Sequence, residues 1–190
     1  MMLYRILLLF LLPLGAVHMA SAQPPAPEDF VNEVYHTIVD SAFDHYYLIV
    51  GADTCRFVKY DYEEWEKYYL KEQVPFVTLN ELSEKAYLSR FPYFWKQQRL
   101  EKAVCISVRK ADSLLFPERY GLADRKRPLT ERLVFSFSLP QFTDDGRYAV
   151  IDLNSVCGAN CGLSMTCIFR RGEAGWKLIG RHVNYSSSPE

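Results

Sequence analysis

Five cysteines, Cys55, Cys105, Cys157, Cys161 and Cys167, carry most of the reactive chemistry this sequence offers. Cys157 and Cys161 enclose Gly158-Ala159-Asn160. If those three residues form a hairpin turn, the two cysteines face each other across the strand ends. Their Cα atoms then lie about 5 Å apart, inside disulfide range, and Gly158 can supply a positive φ. A bridge is expected there. Its loop is short, so it mainly fixes the turn. Cys167 alternates with Leu163, Met165 and Phe169, which predicts an inert thiol facing a core. Cys55 and Cys105 are then the only pair left, bridged or free.

A zinc set of Cys157, Cys161, Cys167 and His182 has suitable ligand types. Its spacing is wrong, because two cysteines across a hairpin turn lack the usual knuckle and Cys167 lies a strand's length away. The reading is no metal and no cofactor. Thioredoxin-like exchange needs Cys-x-x-Cys at a helix start, and neither condition is met.

Catalytic residues stay unknown. The sequence holds no zinc-protease motif, nucleophile elbow, phosphate loop or dinucleotide fingerprint. His36 and Asp40 stand one helical turn apart with Glu33 and Asp44 beside them, which reads as a solvated helix face. His45 reads as a charge at a helix C-terminus. His182 alternates with Trp176 and Leu178, which predicts a part-buried sheet residue. His182, Asp152 and Tyr148 are the polar groups that a pocket would bring together. Tyr60, Tyr62, Trp65, Tyr68 and Tyr69 could form a glycan platform, but Trp65 is expected in the core. Asn184-Tyr185-Ser186 fits an N-glycosylation pattern, which matters only in a eukaryotic secretory host.

The elements that position these groups follow an export signal. Arg5 gives a positive start, residues 6–17 are apolar, and Ala20-Ser21-Ala22 is a cleavage pattern. The apolar run is too short for a span of roughly 20 residues. The expected product begins at Gln23, is secreted or periplasmic, and does not insert in a membrane. Residues 23–27 form a Pro-rich leader, and residues 28–190 form one domain able to bury about 70% of its unfolded surface. Removing Arg5 with the signal leaves two more acidic than basic side chains. Such a balance argues against nucleic acid, and Arg125-Lys126-Arg127 reads as a solvated loop.

Val31, Val34, Tyr35, Ile38, Ala42 and Tyr46 recur at helical spacing after Pro27, which predicts about four turns. Residues 46–50 read as a strand, with residues 56–60 continuing or pairing with it. Helices are expected over 62–71, over 78–90 from a Thr78/Glu81 capping box, and briefly over 93–101. Residues 104–108 read as a strand and 112–124 as irregular. From Arg132 the period becomes two, giving strands near 133–139, 148–156, 163–170 and 176–185. Strands joined this closely form an antiparallel meander. The fold class is α+β, with N-terminal helices packed on a C-terminal antiparallel sheet.

Two stretches, FSFSLPQFTDDGRYAVIDLNSVCGANCG and GWKLIGRHVNYSS, carry a resemblance. The shared pattern is a Pro-Phe strand end, an A-V-I strand, a hairpin turn with CG…CG and a G-W-K strand. It resembles a group of uncharacterised secreted bacterial proteins. The resemblance implies fold and export and transfers no catalytic residue. The expected role is non-enzymatic binding, with an envelope component or extracellular protein as partner. The alternative is a small-molecule pocket protein or enzyme with a cone fold of the nuclear-transport-factor-like type.

Overall fold

A computed structural model describes residues 23–39, 45–55, 57, 62–89, 92–122, 133–158 and 161–187. The signal pattern, Asp40, Asp44 and the basic run at 125–127 lie outside the described residues, as does most of the strand expected at 56–60. Among the described residues, seven strands form one sheet: β1 (Tyr46–Ile49), β2 (Ala103–Ile106), β3 (Val134–Phe137), β4 (Gln141–Phe142), β5 (Tyr148–Gly158), β6 (Cys161–Gly172) and β7 (Gly175–Ser187). The order is β2-β1-β3-β5-β6-β7, with β4 also on β5. The α+β class holds, and β5, β6 and β7 form the expected meander. The sheet is mixed, because β1 runs parallel to both β2 and β3. Beyond β3, Pro140 has no N–H for the ladder, and pairing with β5 resumes at β4.

Period two assigns opposite faces to alternate residues. On the first face, helix α1 (Pro27–Ile38) packs Phe30, Val34 and Tyr35 against Leu48, Phe137, Ile151, Cys167 and Phe169. The Phe30 ring meets Phe142, Phe169 and Trp176 edge-on, with centroids 5.1–5.5 Å apart. The second face carries Val150, Ile168 and Ile179 under α2 and α3. Helix α2 (Tyr62–Glu64) widens into a π-turn over Trp65–Tyr69, and α3 spans Phe76–Leu88. Helix α4 (Val108–Leu115) covers the β1–β2–β3 side of that face through Ala111 and Leu114.

The structure corrects several expected boundaries. Helix α1 stops at Ile38, short of the expected four turns, while Tyr46 begins β1 as the strand reading of residues 46–50 expected, stacking on Tyr35 at 5.0 Å. Strand pairing with Ala103 outweighs the helical spacing that reached Tyr46. Thr78 is no cap: α3 starts at Phe76 behind Pro75. Glu81 instead accepts the Asp144 N–H at 2.5 Å and pairs with Lys85 at 3.0 Å. Between residues 93 and 101 only a 3₁₀ turn forms, Gln97–Arg99. Residues 112–115, expected to be irregular, belong to α4, whose Ser107 accepts the Lys110 N–H at 3.2 Å as an N-cap.

Candidate functional site

Past Val150 and Ile168, the second face turns polar in two adjacent rows. One runs Asp152, Thr166, His182 across β5, β6 and β7. The other runs Ser136, Asn154, Ser164, Tyr185 from β3 to β7.

The first row is mostly buried. The Thr166 hydroxyl donates to Asp152 Oδ1 at 2.7 Å, and Asn184 Nδ2 donates to Thr166 Oγ1 at 3.3 Å. Ser138 closes it from β3's end, accepting the Asp152 N–H at 2.9 Å and donating its own N–H to the Asp152 carbonyl at 3.0 Å. Cys55 lies over this end. Burial and then the Asp152 charge push its thiol up to about 12, against hydrogen bonds from Phe57, Ser138 and Asp152. Near neutral pH it is therefore a thiol, with little nucleophilic character.

His182 reaches this face through a bulge. Trp176 and Leu178 pack on the α1 face. The register on β7 shifts by one between Leu178 and Gly180, leaving Ile179 as the extra residue. One extra residue flips the side chains that follow to the other face, and a second at Asn184 then places Tyr185 beside Ser164 on that same face. The expected alternation of His182 with Trp176 and Leu178 is thus overturned. His182 stacks on Tyr69 with centroids 4.2 Å apart and meets Trp65 edge-on at 5.8 Å. The π-turn supplies both rings. Gly180 faces this turn: a Cβ there would press on Leu70 Cδ2 at 2.7 Å, the end of a side chain that can shift, and meet the Tyr69 carbonyl at 3.4 Å in ordinary contact.

The second row is open. Asn154 Nδ2 donates to Asp53 Oδ2 at 3.3 Å, and the Ser136 hydroxyl donates to the same oxygen. Asn154, Ser164 and the exposed Tyr185 line a depression of about 250 Å³ with Leu163, Gly158 and Cys161. Amide, hydroxyl and phenol groups there offer donors and acceptors together.

The three expected pocket residues share this face but are not adjacent. Asp152 and His182 lie in one row with Thr166 between them. Tyr148 lies beyond Val150 and Ile168, both fully buried, and packs with the apolar cluster. Cys157 and Cys161 are bridged, with Cα atoms 5.2 Å apart. The turn is shorter than expected: Gly158 pairs with Cys161, and Cys157 is the extra residue of a bulge. Cys167 is buried on the α1 face, and burial pushes its thiol up to about 12. Cys167 and His182 face opposite sides of the sheet, so the zinc set cannot converge. Cys55 and Cys105 are unbridged. Among the described residues, no group of three His, Cys, Asp or Glu side chains is placed to hold a metal.

Trp65 is buried, as expected. Glu33 accepts the Trp176 N–H at 2.8 Å, and His36 and His45 are exposed. The sequence reading missed Asp53, Asn154, Ser164 and Tyr185. A signal was present: polar residues at every second position, Asp152–Asn154 and Ser164–Thr166, where a covered strand would be apolar. It also missed Glu28, fully buried at the start of α1. Burial opposes ionisation of Glu28, yet the Tyr93 hydroxyl at 2.6 Å, the Lys96 N–H at 3.1 Å and the Lys96 charge hold its carboxyl below the usual range. No helix among the described residues is long and apolar enough to cross a membrane. No family model, curated protein or solved structure matches this chain.

Proposed function

We propose that this chain is an exported, non-enzymatic binding domain that holds a polar ligand on the open row Asn154, Ser164 and Tyr185. The observation that carries this reading is the second sheet face. Helices cover its apolar part, while its polar part ends in a depression that no helix among the described residues covers, beside an exposed tyrosine. Side chains that hydrogen-bond without a concentrated charge suit a ligand held by hydroxyl or amide groups. The hairpin bridge and the apolar start of the sequence support export. A meander shared with secreted bacterial proteins belongs to the same proposal, as does an envelope component or extracellular protein as the source of the ligand.

A thermal-shift screen of sugars, amides and polar metabolites against the chain lacking residues 1–22 tests this reading. Hits should raise the melting temperature, and Asn154→Ala or Tyr185→Ala should remove the shift. Hits that survive both changes would place binding elsewhere. Asp152, buried beside Cys55 in the same row as His182, favours the second reading, a pocket protein or enzyme of cone-like layout. Under that reading Asp152→Asn abolishes turnover or ligand response while Tyr185→Ala leaves it intact.

A further inference from the structure

We infer that the Cys157–Cys161 bridge is a redox control on the depression beside it; this rests on the depression being a binding surface. Cys161 and Gly158 are part of its wall. The bridge spans a bulge, joining the unpaired residue Cys157 of β5 to Cys161 at the start of β6. This end is paired on both sides, Val156 with Val134 of β3 and Gly162 with Ser187 of β7, but its side-chain packing is thin. Gly158 and Gly162 bring no side chains, Val156 is 37% exposed, and Leu163 and Ser164 are only half-buried. Gly158 also has φ +150°, a backbone state that a neighbouring extended strand does not impose. Farther along, Ala149–Leu153 and Met165–Phe169 are fully or almost fully buried between the two helical layers. The molecule therefore has a firm centre and a hairpin end that relies on its backbone ladders and one covalent bond more than on side-chain packing.

The chemistry is ordinary thiol–disulfide exchange with an external dithiol. The S–S bond breaks, two electrons and two protons convert it to the Cys157 and Cys161 thiols, and the dithiol closes its own disulfide. The bulge then loses its tie, and Asn154, Ser164 and Tyr185 lose the fixed spacing that the depression needs.

Amide hydrogen exchange of the full chain, oxidised and after dithiothreitol, tests the inference. Residues 154–158 and 161–164 should exchange at least about tenfold faster when reduced, with 149–153 and 165–169 unchanged. The melting temperature should fall by no more than about 8 °C. A Cys157→Ser, Cys161→Ser double variant should match the reduced form and ignore dithiothreitol. Unchanged exchange at the hairpin end would overturn the inference. So would loss of protection spreading into 149–153 and 165–169, or a dithiothreitol response in the double variant. The readout needs no ligand, so a failed ligand screen removes the binding reading alone and leaves the hairpin's opening decided by exchange.

Discussion

The two faces of the sheet are made from the same strands and differ in what closes them. The α1 face is apolar from Phe135 to Phe169, and one helix covers it with Phe30 at the centre of three edge-on aromatic contacts. The other face is apolar where α2, α3 and α4 lie, and between them changes to Asp152, Thr166 and Asn154. A buried acid occurs on each side. Glu28 is held by Tyr93 and Lys96, and Asp152 by Thr166. The difference teaches that helix coverage follows apolar area, and that uncovered polar rows mark where a sheet is free to meet something else.

The largest test compares Phe30→Ala, Trp65→Ala and Tyr185→Ala by chemical denaturation. The first two should each cost about 3–5 kcal/mol, as buried aromatic truncations do. Tyr185→Ala should stay within about 0.5 kcal/mol. A large loss from Tyr185→Ala would make the second face a closed core like the first and end the comparison.

Glu28→Gln should cost about 2 kcal/mol near neutral pH, because the Tyr93 and Lys96 donors then meet a neutral amide oxygen instead of a charged carboxylate. The pH dependence gives its sign. The folded carboxyl titrates below its ordinary value of 4.5, so its ionised form stabilises the fold above that value. That stabilisation disappears as pH falls through the lowered folded value. The gap between wild type and Glu28→Gln, followed by urea midpoints from neutral pH downward, should close in that window. A gap that widens on acidification would mean burial dominates instead.

Gly180→Ala should cost about 1 kcal/mol, since Leu70 must give way to the new Cβ. It should also shift the His182 ring signals in NMR spectra, because the π-turn carries Tyr69 onto that ring. Unmoved His182 signals would show that the ring contact does not depend on this approach.

The smallest effect is a labelling order. Half-buried Cys105 should alkylate first in the native protein, and Cys55 and Cys167 only on unfolding. Peptide mapping by mass spectrometry reads this directly. Early labelling at Cys55 would mean that the second face opens over Asp152.

Much of this was legible in the chain. Alternation from Leu133 to Phe137 and from Leu163 to Phe169 marked the late strands and placed Cys167 in the core. The spacing of Cys157 and Cys161 marked the bridge. Ser107 with Ala111 and Leu114 carried the signature of α4, yet the nearby Pro117 and Gly121 made the stretch read as a loop. The Thr78 and Glu81 pair matched a capping box, but Glu81 is engaged by the remote Asp144 N–H and by Lys85 one helical turn on.

The sequence by itself determined composition-level matters and local periodicity: which strands alternate, which cysteines can meet, and that helices precede a meander. Only the tertiary structure decided that β1 pairs in parallel with β2 and β3, that Glu28 is buried, and that His182 leaves the Trp176 face. The physical reason is the same each time. Pairing partners and bulges are chosen by contacts far apart in the chain: an extra residue at Ile179 carries His182 to the second face, and another at Asn184 keeps Tyr185 there.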